Sequence, residues 1–106
     1  MTYDIHIAAE AKTDLRSIYR YIAFELNSAK NASGQIKRLE KAIKSLNKMP
    51  ERYRVYDQEP WKSRNLRILS VDKYLIFYIP NNDKRIVTIM RIMYGARDID
   101  AQLNED

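Results

Sequence analysis

The sequence predicts an α+β domain in the order β-α-α-β-β-β, with a helical hairpin packed on one face of a small, mostly antiparallel sheet. Three observations predict it. The first half carries two stretches with apolar residues at steps of three and four. The second half carries three short runs rich in β-branched and aromatic residues, and a brief alternating segment precedes everything else. A length of 106 residues leaves room for one domain with one modest core.

Each element has its own signal. Tyr3, Ile5 and Ile7 alternate with Asp4 and His6, which is the period of a strand. Over residues 8–27, Ala11, Leu15, Ile18, Ile22 and Leu26 form one apolar stripe opposite Lys12, Arg16 and Arg20, as in an amphipathic helix. Asn27 and Ser28 close that helix and cap a second, in which Ile36, Leu39, Ile43 and Leu46 repeat the spacing until Pro50 ends it. Gly34 lies inside this second helix, where glycine costs about 1 kcal/mol relative to alanine. It marks either the weakest stretch or a close packing contact. Residues 51–62 are polar, aromatic and broken by Pro60, so they form a connecting loop anchored by Trp61. Leu66, Ile68 and Leu69, then residues 74–79 and 86–93, predict three strands. The turn Asn81, Asn82, Asp83 folds the last two into an antiparallel hairpin. After Gly95 the chain leaves the sheet in an acidic tail.

Composition excludes several kinds of chemistry. The chain is 45% apolar and 31% charged, the balance of a soluble globular domain. It has no apolar run of the ~20 residues that cross a bilayer and no secretory leader, so a cytoplasmic product without membrane contact is expected. Cysteine is absent, which removes disulfides, thiolate zinc sites and thiol nucleophiles. His6 is the one histidine, expected at the surface or half-buried, so no pair of imidazoles can share acid and base roles. No His, Asp or Glu cluster has metal-ligand spacing; Asp98 and Asp100 alternate in a tail where solvation explains them. With two glycines there is no phosphate-cradling loop. No metal and no cofactor are expected.

The net charge of +5 is unevenly placed. Residues 50–97 hold ten basic and five acidic side chains, and the remainder is balanced at nine of each, so the whole excess lies in the second half. That points to a polyanion or an acidic partner, against the plainer reading of a solubilising surface. Two arginines interrupt predicted strands. Arg91 falls among Ile89, Met90, Ile92 and Met93, and Arg67 among Leu66, Ile68 and Leu69. A guanidinium there needs a carboxylate, carbonyls, solvent or an anionic ligand. If the need is structural, Asp72, Asp83 and Asp98 are the candidate partners. If it is functional, Lys62, Arg64, Arg67, Lys73 and Arg97 form a target-binding set, and the eight tyrosines offer stacking surfaces for nucleotides. The lysines and Arg38 of the second helix read as a solvated face.

The strand pair containing Leu66-Arg67-Ile68-Leu69 and Val71-x-x-Tyr74-x-Ile76-Phe77-Tyr78, with Ile92-x-Tyr94-Gly95-Ala96-Arg97-Asp98, resembles the RelE/ParE superfamily of type II toxins. So does the first helix, through Ala11, Asp14, Leu15, Ile18, Tyr21 and Ile22. The likeness runs over residues 3–103 and agrees with the element order derived above. It implies a toxin with a cognate antitoxin from the same operon, in a hetero-oligomer, whose acidic amphipathic segment lies across the basic sheet and the helical hairpin. It also implies one of two targets: RelE-like members cleave messenger RNA in the ribosome, and ParE-like members poison DNA gyrase. In the nuclease branch Arg67, Arg91 and Arg97 would clamp phosphate and Tyr94 would carry a proton. The nuclease branch's C-terminal tyrosine has no counterpart, since Leu103 occupies that region, and no basic residue directly follows Leu69. These departures favour the gyrase-directed branch, with a harmless binding module of the same fold as the remaining alternative.

Overall fold

The computed structural model describes residues 2–95 together with Ile99 and Leu103. Its elements are β1 (Asp4–Ile7), α1 (Ala9–Arg20), α2 (Ala29–Ser45), β2 (Arg67–Val71), β3 (Tyr74–Asn81) and β4 (Ile86–Tyr94). The α+β order matches the sequence expectation. The sheet runs β1-β4-β3-β2, with β1 parallel to β4 and the other pairs antiparallel. β1 is parallel because the helical hairpin carries the chain back across the sheet before β2 begins.

Alternation along the strands builds two apolar layers. On the helix side, Leu69, Ile76, Tyr78, Val87, Ile89 and Ile92 meet Ala11, Ile18 and Ile22 of the first helical segment and Ala32, Leu39 and Ile43 of α2. On the opposite side, Leu66, Ile68, Phe77 and Met93 are covered by Tyr56 and Trp61 of the connecting loop and by Leu103. Trp61 thus anchors the loop as expected. Leu103 is buried at 7% exposure, so its apolar character has a packing role.

Three local features differ from the periodicity. The α-helical pattern ends at Arg20, seven residues before Asn27, and Tyr21–Glu25 continue as a wider π turn. That turn leaves Tyr21, Phe24 and Leu26 exposed at 55%, 72% and 56%. Asn27, at φ 55°, reverses the chain, and the Ser28 side chain accepts from the Asn31 amide to cap α2. Gly34 is not a close backbone contact: a Cβ added there would meet only the far end of Arg38, at 3.4 Å. In β4 a bulge opposite Phe77 breaks the period of two. As a result Ile89 and Ile92 both face the helices, three residues apart, and Arg91 between them reaches Asp14 of α1.

The loop after α2 is fastened by polar contacts. Arg52 donates to the carbonyls of Ser45, Lys48 and Met49, satisfying the end of α2. The Tyr78 hydroxyl, inside the sheet, donates to the Pro50 carbonyl at 2.5 Å. Among the described residues no helix is long and apolar enough to cross a membrane, and no buried side-chain nitrogen or oxygen lacks a hydrogen-bond partner.

Candidate functional site

The two strand arginines are turned inward. Arg67 lies opposite Tyr78 in the β2–β3 register. Its Nη1 donates to the carbonyls of Glu51 at 2.8 Å and Tyr53 at 2.7 Å, its Nε donates to Asn65, and its Nη2 pairs with the Glu51 carboxylate at 3.3 Å. The side chain is 14% exposed. Arg67 and Tyr78 therefore fasten the 50–53 segment to the sheet together. Hydrogen bonds from the Asn82 and Asn65 amides hold the Glu51 carboxyl below its ordinary range against a desolvation that would raise it, with the Arg67 charge adding to the lowering. Burial pushes the Tyr78 phenol up to about 12, although the charges of Arg67 and Arg52 pull the other way.

Arg91 meets Asp14 of α1, not Asp72, Asp83 or Asp98. The Asp83 amide donates to the Asn81 side chain, which caps that turn, Asp72 is held by Gln35 and Arg38, and Asp98 lies outside the described residues. Arg91 Nε and Nη2 donate to the two Asp14 oxygens at 2.8 and 3.1 Å, and the Ile92 amide donates to the same carboxylate at 2.9 Å. The two side chains are 24% and 15% exposed. One carboxylate thus ties helix to strand through a forked ion pair and a main-chain bond. Of the alternatives the sequence leaves open, Arg67 is met by main-chain carbonyls and the Glu51 carboxylate and Arg91 by the Asp14 carboxylate.

The remaining predicted residues fall at opposite ends of the sheet. Lys62 and Arg64 lie near the start of β2, on the turn that carries Trp61. Lys62 pairs with exposed Asp57 at 3.2 Å, and the Arg64 guanidinium stands 5.0 Å from the Trp61 ring. Lys73 lies in the β2–β3 turn, beyond β2, which alone spans about 13 Å at ~3.3 Å per residue. Tyr94 is at that same end, 39% exposed and edge-on to Tyr74 at 5.8 Å, and the Gly95 amide donates to the Lys73 carbonyl. The set Lys62, Arg64, Arg67 is thus parted from Lys73, Arg91 and Tyr94. Arg97 lies outside the described residues.

Lys73, Arg91 and Tyr94 share a groove of about 960 Å³ between the turn end of the helical hairpin and the end of the sheet. Its floor includes Ile18, Ile22 and Ile92, and its rim carries Tyr21 and Leu26. Four cations and two carboxylates line it: Lys30, Arg38, Lys73 and Arg91 against Asp14 and Asp72. Arg38 Nε and Gln35 Nε2 both donate to Asp72, at 2.8 and 2.9 Å, and these bonds hold the Asp72 carboxyl below its ordinary range. Two cations are therefore neutralised in place, while Lys30 and Lys73 remain as exposed ammonium groups. Sequence reasoning missed Lys30, Arg38, Tyr21 and Leu26, since each fits the solvated or core face of an ordinary amphipathic helix. Among the described residues no group of three or more His, Cys, Asp or Glu side chains is placed to hold a metal.

The fold is shared with solved toxin structures. The chain superposes on the chromosomal ParDE toxin–antitoxin system from P. aeruginosa with a TM-score of 0.71 at 17% identity, covering 88% of this chain and 96% of that one. It superposes on E. coli toxin RelE, a mutant in the free state, with a TM-score of 0.68 at 12% identity, covering 96% and 93%. The toxin–antitoxin complex RelBE2 of Mycobacterium tuberculosis gives 0.63 at 16% identity, covering 89% and 99%. No curated protein matches the sequence. The model of the ParE toxin of the type II toxin–antitoxin system parDE matches residues 5–99, nearly the whole of the described fold. The chain belongs to the ParE toxin family of type II toxin–antitoxin systems.

Proposed function

We propose that this toxin arrests bacterial growth in the cytoplasm as a ParE-like poison of DNA gyrase, without catalytic chemistry of its own. A cognate antitoxin from the same operon would hold it in check. One observation carries the reading: the two arginines best placed to clamp a phosphate on the sheet are spent on Asp14 and on the Glu51–Tyr53 segment. A nuclease of the alternative branch needs guanidinium groups free to meet the charge that develops on the scissile phosphate. Withdrawing Arg91 from Asp14 would leave a partly buried carboxylate unpaired, a cost of several kcal/mol that a free guanidinium would not carry. A toxin that acts by binding has no such requirement. The ribosome-dependent messenger RNA endonuclease stays as the second reading because Tyr94, exposed at the groove rim, stands near Lys73 and could carry a proton.

Purified toxin added to a gyrase supercoiling reaction tests the proposal. Loss of supercoiling with accumulation of cleaved DNA, and no codon-dependent cuts in a translation extract, is the expected outcome. Message cleavage with intact supercoiling refutes it.

A further inference from the structure

The two edges of the sheet are finished differently. Beyond β2 the 54–56 segment adds an outer rung: the Ile68 amide donates to the Arg54 carbonyl, the Tyr56 amide donates to the Leu66 carbonyl, and Val55 bridges Arg67. β1 forms the other edge, and among the described residues no segment covers it in this way. The Asp4 and Ala8 amides donate to the Arg85 and Ile89 carbonyls on the β4 side. In a parallel ladder this fixes the parity, so the even-numbered residues of β1 bond inward and the odd-numbered ones face out. The Tyr3 amide is taken by the Asn47 carbonyl at 2.8 Å, which closes the start of the edge. What stays open is a window at Ile5 and Ile7, two amides and two carbonyls with no partner among the described residues. Unpaired edge groups of this kind are a template for another strand.

We infer that this window is a self-association site, where β1 of a second copy pairs antiparallel about His6 and joins two four-stranded sheets into one. Register selects the arrangement. Outward-facing residues must oppose outward-facing residues, so Ile5 meets Ile5, Ile7 or Ala9 of the second copy. The first alignment sets Ile7 against Tyr3, where Asn47 already stands, and the third runs onto Ala9, which is helical. Pairing Ile5 with Ile7 of the second copy, and Ile7 with its Ile5, uses all four groups and makes four main-chain bonds about a twofold axis. The side chains agree with it. Ile5 and Ile7 are half-buried on the helix face and gain β-branched cross-strand neighbours, while Asp4 and His6 are exposed on the opposite face. Any extended segment supplies main-chain groups, but a second copy also brings the matching isoleucines in a register that its own symmetry closes. Charge near the axis is low: the +5 excess lies in residues 50–97, whereas residues 3–8 carry one carboxylate, Asp4, and no lysine or arginine. The contact is small, so association is reversible and depends on concentration.

The full chain has no cysteine, so single cysteines report the register. His6 would stand opposite its own counterpart in a non-hydrogen-bonded pair, about 4.5 Å between Cα atoms and within disulfide reach. Asp4 would lie roughly 13 Å along the strands from its counterpart, at ~3.3 Å per residue. Under mild oxidation of concentrated toxin, His6→Cys should form a covalent dimer at least about tenfold faster than Asp4→Cys or Ser70→Cys, a control on exposed β2. All three positions are exposed, so melts should stay close to wild type. In wild-type toxin, hydrogen exchange at the Ile5 and Ile7 amides should slow at least about threefold between dilute and concentrated solution, a readout that stands whatever the variants do. Equal crosslinking of the three variants, or exchange at Ile5 and Ile7 that is independent of concentration, overturns the inference. Protection of these two amides only after another protein is added gives the window to that protein and overturns it as well.

Discussion

Replacing Asp14 with alanine should destabilise this toxin more than any other single surface-proximal change. The carboxylate accepts two bonds from Arg91 and one from the Ile92 amide, and all three are lost together. Removing one partner of a buried pair costs roughly 3–5 kcal/mol, with most of that cost in the charge left behind. Arg91 is 24% exposed, so water recovers part of the loss. The bulged strand also keeps the Ile92 amide beneath α1, where a replacement acceptor is hard to supply. These considerations place the loss near 3 kcal/mol. With a urea slope of about 1.5 kcal/mol per M for a domain of this size, the unfolding midpoint should fall by about 2 M. Asp14→Asn keeps an acceptor for the amide and should lose about half as much. A double-mutant cycle of Asp14→Ala with Arg91→Ala should show a coupling above about 1 kcal/mol. A midpoint within about 0.3 M of wild type in Asp14→Ala, together with loss of toxicity in a stably folded Arg91→Ala, would refute the structural assignment and return Arg91 to the target site.

Other outcomes follow from the same contacts. Arg67→Ala should lose about 2–3 kcal/mol, because the Glu51 and Tyr53 carbonyls lose their charged donor, and melting should drop by about 10 °C; toxin kept folded at low temperature should still arrest growth. Tyr78 is a neutral donor whose folded value, about 12, lies above the ordinary 10, so its contribution is complete below pH 10 and disappears as pH rises towards 12. The full difference is about 2.7 kcal/mol at 1.36 kcal/mol per pH decade, and it should be absent from the alkaline melts of Tyr78→Phe. Asp72 and Glu51 shift the opposite way: their lowered carboxyls contribute stability above the ordinary carboxylate range, lost as pH falls through the folded values. Asp72→Asn should therefore flatten the acid limb of a stability profile. Ser28→Ala removes the cap on the Asn31 amide and should cost about 1 kcal/mol by urea unfolding, mostly as fraying of the first turn of α2.

The elements were legible in the sequence because each buries one face at its own period. Ile18 and Ile22, then Leu39 and Ile43, do fill the helix side of the sheet, and residues 74–78 alternate between the two apolar layers. The acidic partner of Arg91 was not legible. It lies 77 residues away on another element, and the local pattern around Arg91 gives no sign of which carboxylate the fold brings to it. The fate of Arg67 depended on the path of the loop, whose carbonyls carry no signature in the side chains. For the groove the difficulty was different. Tyr21 and Leu26 sit at positions that a continuous α-helix would place near its apolar stripe, and the π turn exposes them instead. Lys73 was identified, but its company was mistaken: the basic residues nearest to it in sequence lie at the far end of β2, whereas Lys30 and Tyr94 come to it through the fold.

The central claim is that this toxin disables its target by occupying it, with its strand arginines given over to its own architecture. Stoichiometry measures that directly. When toxin is titrated into a fixed amount of gyrase with excess DNA, supercoiling should fall in proportion and level off once toxin and enzyme are present in comparable amounts. Inactivation that continues to completion at toxin levels far below those of the target, or message cut with many turnovers per toxin in a translation extract, would contradict it.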